Sequence, residues 1–308
     1  MQVFFYEAFE EEVAALRRHL PAEIEAGFTW KTIQESGEAS PPARLISIRT
    51  QSAIPPAWFT RLDGLLARTT GFDHLVGLPV KCGHLPLYCN RAVAEQAMLL
   101  WMVLLRKLPQ QVAQFARFHR DGLTGGECAG KNLLVVGAGH IGSEAAKIGR
   151  GLEMNVRRVD IIAERSDVSI EEGLPWADII VCAMNLTAKN RGYFSYERLK
   201  RARRGVLFVN VSRGEQSPTA DLARLLDEEH LSGVALDVYE DEGALATALR
   251  SGKGSFPLAG RANVILTPHN AFNTREAVER KAEQSARQVG HFLEQGRFLW
   301  EAVFPVDI

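Results

Sequence analysis

Short apolar runs alternate with amphipathic stretches along most of the chain. In the first part, apolar runs predict β-strands at 3–6 and 45–48, and helical periodicity predicts helices at 10–20 and 58–66. A Pro-Pro pair breaks the chain before the second of these helices. We therefore expect a small α/β unit that ends near residue 90.

A long helical pattern follows from Arg91 to Phe118, with an interruption near Pro109. Beyond it, six strand-like runs recur with helical patterns between several of them, at 133–136, 156–159, 178–181, 206–209, 234–236 and 264–266. Strands that alternate with helices form parallel sheets that are covered on both faces. The predicted fold class is therefore α/β, with a doubly wound parallel sheet in the second half.

The final helical pattern, from Thr274 to Phe298, comes after the last of these strands. We expect this helix to cross back and pack on the N-terminal unit, which would make that domain discontinuous. The predicted boundaries are 1–90 with 275–308 for the first domain and 91–274 for the second.

Neither composition nor charge points to a nucleic acid or a membrane. Hydrophobic residues make up 46% and charged residues 24% of the chain, and the formal net charge is −1. The longest apolar run, 97–105, is far shorter than the roughly 20 residues that span a bilayer. The acidic N-terminus also lacks the basic region of a signal peptide. Because the four cysteines show no metal-binding spacing, we predict reduced thiols, no metal and a cytoplasmic location.

The run 133–136 leads directly into a glycine-rich turn, Gly137-Ala-Gly-His-Ile-Gly142, and a helical pattern follows. In such a turn the first glycine allows a tight bend, and the second lets backbone N–H groups approach a pyrophosphate. The third glycine lets the helix pack closely on the strand. This context predicts a dinucleotide site, in which His140 could also touch the pyrophosphate.

Asp160 stands 23 residues after Gly137, at the end of the next predicted strand. This is the place of the carboxylate that binds the adenosine ribose hydroxyls. Its negative charge would repel the extra phosphate of NADP, so NAD is favoured. Three nearby arginines are the opposing observation, since an arginine can pair with that phosphate: Arg157, Arg158 and Arg165.

Three later strand ends carry titratable or charged groups: Arg213, the acidic run 240–242, and His269. Ligands of doubly wound sheets lie at the carboxyl ends of the strands, so these groups could converge beside a nicotinamide ring. Reduction of a 2-oxo acid needs this set. Histidine can protonate the carbonyl oxygen, a carboxylate can hold the histidine, and arginine can bind the substrate carboxylate. Singly, each residue has an ordinary structural explanation.

Four segments in this order resemble the D-isomer-specific 2-hydroxyacid dehydrogenases: Gly137-Ala-Gly-His-Ile-Gly142, Asn210-Val-Ser-Arg-Gly214, Leu236-Asp-Val-Tyr-Glu-Asp-Glu242 and Thr267-Pro-His-Asn-Ala271. The resemblance implies a Rossmann coenzyme domain, a smaller flavodoxin-like substrate domain, and a homodimer formed through the coenzyme domain. It also implies that Arg213 binds substrate, that His269 is the acid/base, and that Glu242 is its partner. The implied cofactor-binding residues are Gly137, Gly139, His140, Ile141, Gly142, Asp160, Ser212 and Asp237.

The same resemblance extends to a candidate substrate site. The segment 68–73 is similar to the family turn whose backbone N–H groups hold the substrate carboxylate, here around Thr70 and Gly71. Tyr88 and Phe272 resemble residues of the D-lactate dehydrogenase branch and favour a small apolar substrate group. Arg49 is similar to a substrate-binding arginine of phosphoglycerate-type members, which would suit a second anionic group.

The sequence thus predicts hydride transfer between NAD(H) and a small D-2-hydroxy/2-oxo acid, with pyruvate and D-lactate as the leading pair. Glyoxylate, hydroxypyruvate or a phosphoglycerate-type acid are alternative substrates, and phosphite oxidation stays open. The rival from another class is a dinucleotide-sensing protein like the corepressors that share this fold. Two departures, Gly243 after the acidic run and the unusual stretch 151–155, weaken assignment to one subfamily.

Overall fold

The strands of the computed structural model, described over residues 1–303, form two separate parallel sheets. The strands are β1 (Val3–Phe5), β2 (Ala26–Phe28), β3 (Leu45–Ile48), β4 (Gly64–Ala67), β5 (Lys81–Gly83), β6 (Asn132–Val136), β7 (Asn155–Val159), β8 (Ile179–Cys182), β9 (Val206–Asn210), β10 (Leu231–Leu236) and β11 (Val264–Leu266). The helices are α1 (Glu10–His19), α2 (Ile33–Ser36), α3 (Asn90–Leu105), α4 (Leu108–Gln114), α5 (His140–Gly151), α6 (Ile170–Trp176), α7 (Tyr196–Leu199), α8 (Thr219–Asp227), α9 (Glu242–Arg250) and α10 (Arg275–Gln295).

The chain divides into two units, Met1–Cys89 with Asn273–Ile308, and Asn90–Phe272. The predicted first domain extends to residue 308, and its last five positions, 304–308, lie outside the described residues. The assignment of a substrate and a coenzyme role to these units stays a prediction.

The first unit contains a five-stranded sheet with the order β2-β1-β3-β4-β5. All of its strand pairs are parallel. This is the flavodoxin-like order, which confirms that part of the predicted fold class. All four residues of β3 are buried, because helices and loops cover the sheet on both faces.

The helix predicted at 58–66 was wrong. The chain forms a 3-10 helix over Pro56–Arg61 and then the strand β4. The apolar run in β4 is too short for periodicity to separate a buried strand from a buried helix. Tertiary packing decides the outcome: a Cβ at Gly64 would stand 2.3 Å from the ring of Phe292, so only glycine fits against α10 at this point.

The helix α10 belongs to the first unit and lies against α1 and β4. Thr274 caps its N-terminus by accepting a hydrogen bond from the Ala277 N–H (3.2 Å), and Gly296 ends it with a φ of 66°. Small and apolar side chains line most of its buried face, and two larger polar side chains, those of Lys281 and Gln288, are also fully buried there.

The second unit contains a six-stranded sheet with the order β11-β10-β9-β8-β6-β7. One face of its strands packs on a cluster that includes residues of α6, α7 and α8, through Leu134, Val136, Ile180, Cys182, Val206, Phe208, Val234 and Leu236. The alternate residues Leu133 and Val135 point towards glycines of α5 on the opposite face. Helices therefore cover both faces, which confirms the doubly wound prediction.

The strand order reverses at β6, which lies between β7 and β8. In doubly wound sheets such a switch point opens a crevice at the carboxyl ends of the strands, where ligands bind. The glycine-rich turn stands directly after β6, so the fold puts it at this crevice.

The long helical pattern after residue 90 is divided into α3 and α4. Lys107 takes a positive φ of 51° between them, and Pro109 lies in the first turn of α4. Within residues 1–303, no helix combines the length and the apolar character needed to cross a membrane.

Candidate active site

The glycine-rich turn has the geometry that its three glycines predict. Gly137 takes a φ of 93°, and a Cβ there would stand 2.6 Å from the backbone of Ala183 in the loop after β8. A Cβ at Gly142 would stand 1.8 Å from the carbonyl oxygen of Gly137. Gly139 faces open space, since a Cβ there would meet nothing within 4 Å. The turn therefore brings the N-terminus of α5, begun by His140 and Ile141, to an open surface that suits a pyrophosphate.

Asp160 follows β7, the strand beside the glycine-rich turn. Its carboxylate accepts hydrogen bonds from the Ala138 N–H (2.6 Å) and from the Ile162 N–H (2.9 Å). The carboxylate thus lies against the turn itself, where the ribose of a bound dinucleotide would be expected.

Two of the three nearby arginines are committed to other partners. Arg158 binds Asp167 through two nitrogens, at 2.9 and 3.0 Å, and Arg157 stacks over Trp176 at 4.4 Å from the ring centroid. Arg165 is exposed in a short 3-10 helix. The carboxylate of Asp160 is held against the turn, and it favours NAD over NADP.

The loop after β9 carries Ser212 and Arg213. Buried Asn210, at the end of the strand, donates from its amide to the carbonyl oxygen of Arg213 (2.9 Å) and accepts from the Ser212 N–H (3.0 Å). The Ser212 hydroxyl donates to the carbonyl of Met184, in the loop after β8. A Cβ at Gly214 would stand 1.9 Å from the backbone of Tyr239, so this loop lies tightly against the one after β10.

Arg213, Glu242 and His269 follow three adjacent strands, β9, β10 and β11. Because the strands are parallel, all three residues stand at the same edge of the sheet. The sequence could indicate only that each follows a strand; the strand order makes them neighbours.

His269 and Glu242 form a direct pair. The Nδ1 atom of His269 is 2.8 Å from both carboxylate oxygens of Glu242, and each side chain is about one fifth exposed. The carboxylate accepts from Nδ1–H, which fixes the ring orientation and leaves Nε2 for proton exchange. The pair can therefore serve as an acid/base group.

Asp237 supports the loop that carries His269. Its side chain is fully buried, and its oxygens accept from the Thr267 hydroxyl (2.5 Å) and from the N–H groups of Asn270 and Ala271 (both 2.9 Å). Burial raises the pKa of Asp237, and these hydrogen bonds oppose the rise. The predicted contact of Asp237 with the cofactor stays a prediction, while its contacts in the structure hold the histidine loop.

The predicted substrate residues of the first unit also lie near one another. The Thr70 hydroxyl donates to the carbonyl of Leu85 (3.1 Å) and lies 3.4 Å from the sulfur of Cys89, so the turn with Gly71 meets the segment with Tyr88. The side chain of Tyr88 is buried, and its pKa is raised well above the ordinary value, chiefly by burial.

Arg49 and Phe272 complete the predicted set. The backbone N–H of Arg49 donates to Glu7 (2.9 Å), and its guanidinium lies 5.9 Å from the ring centroid of Phe9. Phe272, in the second unit, is buried directly after Ala271, whose N–H is held by Asp237.

Comparison with known proteins decides which family this site belongs to. The sequence model of the D-isomer specific 2-hydroxyacid dehydrogenase NAD-binding domain matches residues 97–271. The chain belongs to this family. Members of this family are NAD-dependent oxidoreductases, and NAD is the cofactor of this chain.

Individual relatives support this membership and differ in their named substrates. The chain is 30% identical over 296 residues to 2-hydroxyacid dehydrogenase A of Aspergillus oryzae, covering 86% of this chain and 83% of the relative. It is 32% identical over 211 residues to D-3-phosphoglycerate dehydrogenase of Bacillus subtilis, which covers 65% of this chain and 38% of that protein. Among solved structures, D-lactate dehydrogenase from Aquifex aeolicus, complexed with NAD and lactic acid, is 25% identical with a TM-score of 0.83, over 97% of this chain and 99% of that one.

Several residues that shape the site were not among the predicted site residues. Asn210 and Thr267 position the loops of Arg213 and His269, and both are polar residues at the end of an apolar strand. Lys281 lies on the buried face of α10 beside the predicted substrate residues. The sequence feature that could have identified Lys281 is its place in the apolar stripe of the helix, three residues after Val278.

Proposed function

We propose that this 2-hydroxyacid dehydrogenase interconverts a short-chain 2-oxo acid and its D-2-hydroxy acid, with His269 as the acid/base. The pairing of His269 Nδ1 with Glu242, at the sheet edge that also carries Arg213, is the observation that supports it most. NAD(H), when bound at the glycine-rich turn, supplies or accepts the hydride at the substrate carbon.

In the direction of reduction, two electrons and the hydrogen arrive at the carbonyl carbon as a hydride, and negative charge develops on the carbonyl oxygen. His269 gives that oxygen its proton from Nε2, while Glu242 stabilises the imidazolium form and holds the ring. Arg213 binds the substrate carboxylate and polarises the carbonyl. Oxidation reverses these steps, with His269 as the base.

For the substrate, we propose pyruvate and D-lactate as the simplest pair. The N–H groups around Thr70 and Gly71 would hold the carboxylate, and Tyr88 and Phe272 would flank a small side chain. The named D-lactate dehydrogenase among the solved structures favours this pair. The phosphoglycerate dehydrogenase among the relatives, together with Arg49, keeps a phosphoglycerate-type acid as the second candidate, beside glyoxylate and hydroxypyruvate.

An NADH-oxidation assay with pyruvate, glyoxylate, hydroxypyruvate and phosphohydroxypyruvate tests the proposal. We expect turnover with at least one acid, and His269→Ala should lower kcat by about 100- to 10,000-fold while NADH still binds. Binding of NADH without turnover on any acid would favour the dinucleotide-sensing protein. Full turnover in His269→Ala would contradict the role of His269.

We also propose a homodimer formed through the coenzyme-binding unit. Large apolar side chains are exposed along α3, α4 and the turn after them, at Leu99, Leu108, Val112, Phe115 and Phe118. Contiguous exposed apolar surface is typical of sites of protein association. The cytoplasmic location stays a prediction.

A further inference from the structure

Three charged side chains are fully buried together in the first unit: Glu12 on α1, Arg68 directly after β4, and Lys281 on α10. One carboxylate oxygen of Glu12 lies 2.8 Å from both Arg68 Nε and Lys281 Nζ. Charged residues are almost never fully buried unless they are paired, so this cluster requires an explanation.

The ion pair of Arg68 and Glu12 has a structural role. Besides its bond to Glu12, the guanidinium of Arg68 donates to the Ser47 hydroxyl (2.9 Å) and to the carbonyl oxygen of Tyr6 (2.5 Å). These bonds link α1 to the ends of three strands of the sheet. One cation and one carboxylate already balance each other in this arrangement.

Lys281 adds a second cation to the same carboxylate. Arg49 adds a third positive charge within electrostatic range of both Glu12 and Lys281. Burial, Arg49 and Arg68 together lower the pKa of Lys281 to about 7, and Glu12 opposes them. The cluster is therefore positive overall when Lys281 is protonated, and an anion nearby would stabilise it.

The ammonium group also lies beside the predicted substrate residues of this unit. Lys281 Nζ is 5.9 Å from the ring centroid of Tyr88 and 4.9 Å from that of Phe9, whose ring Arg49 also approaches. Cys89, which contacts Thr70, is close enough to Lys281 to respond to its charge. A substrate pocket for a methyl group needs no cation at this place. The Lys281 ammonium would attract an anionic substrate group over several ångströms, because the surroundings are buried and of low dielectric constant.

We propose that Lys281 is a specificity-determining residue that favours 2-oxo acids with a second carboxylate on their side chain. This inference rests on the proposed hydride transfer and narrows its substrate class to short 2-oxo dicarboxylic acids. The reaction is otherwise unchanged: NADH, a proton and the 2-oxo dicarboxylate give NAD⁺ and the D-2-hydroxy dicarboxylate. Pyruvate then becomes a poorer substrate of the same site.

A matched pair of substrates tests the charge alone. Oxaloacetate and 4-methyl-2-oxopentanoate have side chains of similar shape, and they differ in a carboxylate against an isopropyl group. With the wild-type protein, we expect kcat/KM to be about 10- to 100-fold larger for oxaloacetate, the worth of a hydrogen bond to a charged group. Equal or reversed values would overturn the inference.

The variant Lys281→Met then assigns the preference to this residue. Glu12 keeps Arg68 as its partner, so the variant leaves no buried charge without a counterion. We expect the ratio of the two kcat/KM values to fall towards 1 in Lys281→Met, and to persist in Lys281→Arg and in Lys31→Met, an exposed lysine of the same unit. If Lys281 has only a structural role, the substitution Lys281→Met should lower both kcat/KM values together and leave their ratio unchanged.

The outcomes separate the two proposals. If neither pyruvate, oxaloacetate nor 4-methyl-2-oxopentanoate is reduced, the proposed hydride transfer has failed. If the two acids with uncharged side chains are reduced and oxaloacetate is not preferred over them, only the inference on Lys281 has failed. Should thermal unfolding show that Lys281→Met is not folded, the comparison of substrates on the wild-type protein still decides.

Discussion

His269 combines a backbone conformation that most residues avoid with the side-chain role proposed here. Its φ is 50°, in the left-handed region, where a residue other than glycine carries strain of about 1 kcal/mol or more. The hydrogen bonds of Asp237 to Thr267, Asn270 and Ala271 hold the loop in this conformation. In this conformation Nδ1 lies within hydrogen-bond distance of Glu242.

At the same scale, the charge of Lys281 predicts a pH dependence of substrate preference. Below pH 7 the ammonium is protonated and attracts a carboxylate; above its pKa of about 7 it is neutral and the attraction is lost. The charged and titratable groups around it are Glu12, Arg68, Arg49, Tyr88 and Cys89, of which the thiol and the phenol are held neutral by raised pKa values.

The measurement is the ratio of kcat/KM for oxaloacetate to that for 4-methyl-2-oxopentanoate between pH 5.5 and roughly 9. We expect the ratio to fall as pH rises through about 7, and any pH dependence of the catalytic step that both substrates share cancels in the ratio. In Lys281→Met the ratio should not depend on pH. A flat ratio in the wild-type protein would contradict the assignment.

At the scale of elements, the start of α5 packs so closely that position 142 has no room for a side chain. A Cβ at Gly142 would stand 1.8 Å from the Gly137 carbonyl oxygen and 3.2 Å from Val135. The helix approaches the strand so closely only because Gly142 lacks a side chain. The turn at which we predict the cofactor to bind is therefore set by backbone packing.

Gly142→Ala should lower the free energy of unfolding by about 1 to 3 kcal/mol, because the turn must move to admit the methyl group. It should also weaken NADH binding, as measured by fluorescence titration. The matched control is Gly151→Ala, at the other end of the same helix, where a Cβ would meet nothing within 4 Å. Equal effects of the two substitutions would show that close packing at Gly142 does not matter.

At the scale of the whole molecule, the exposed apolar residues of α4 and the turn after it predict association. Phe115 is 76% exposed and Trp30, in the first unit, is 68% exposed, so the two aromatics cost similar amounts to leave in water. If the dimer forms through the coenzyme-binding unit, Phe115→Asp should give a monomer in light scattering, while Trp30→Asp should leave the mass unchanged. A wild-type monomer would rule the dimer out.

The sequence by itself determined the local features. Strand and helix periodicities predicted the doubly wound sheet, because side-chain direction repeats with a fixed local period in each kind of element. The turn 137–142 predicted the cofactor site, and the residues after the strands predicted the candidate trio, because a turn and its glycines are encoded within a few positions. The wrong helix at 58–66 shows the limit of this reasoning: a short apolar run carries no period.

Only the tertiary structure decided the features that join distant segments. It places β9, β10 and β11 side by side, which makes neighbours of residues that stand up to 56 positions apart in sequence, from Arg213 to His269. It also buries Glu12, Arg68 and Lys281 around one oxygen atom. No local pattern reports such a cluster, since its charge balance and its pKa depend on burial and on partners that the fold alone brings together.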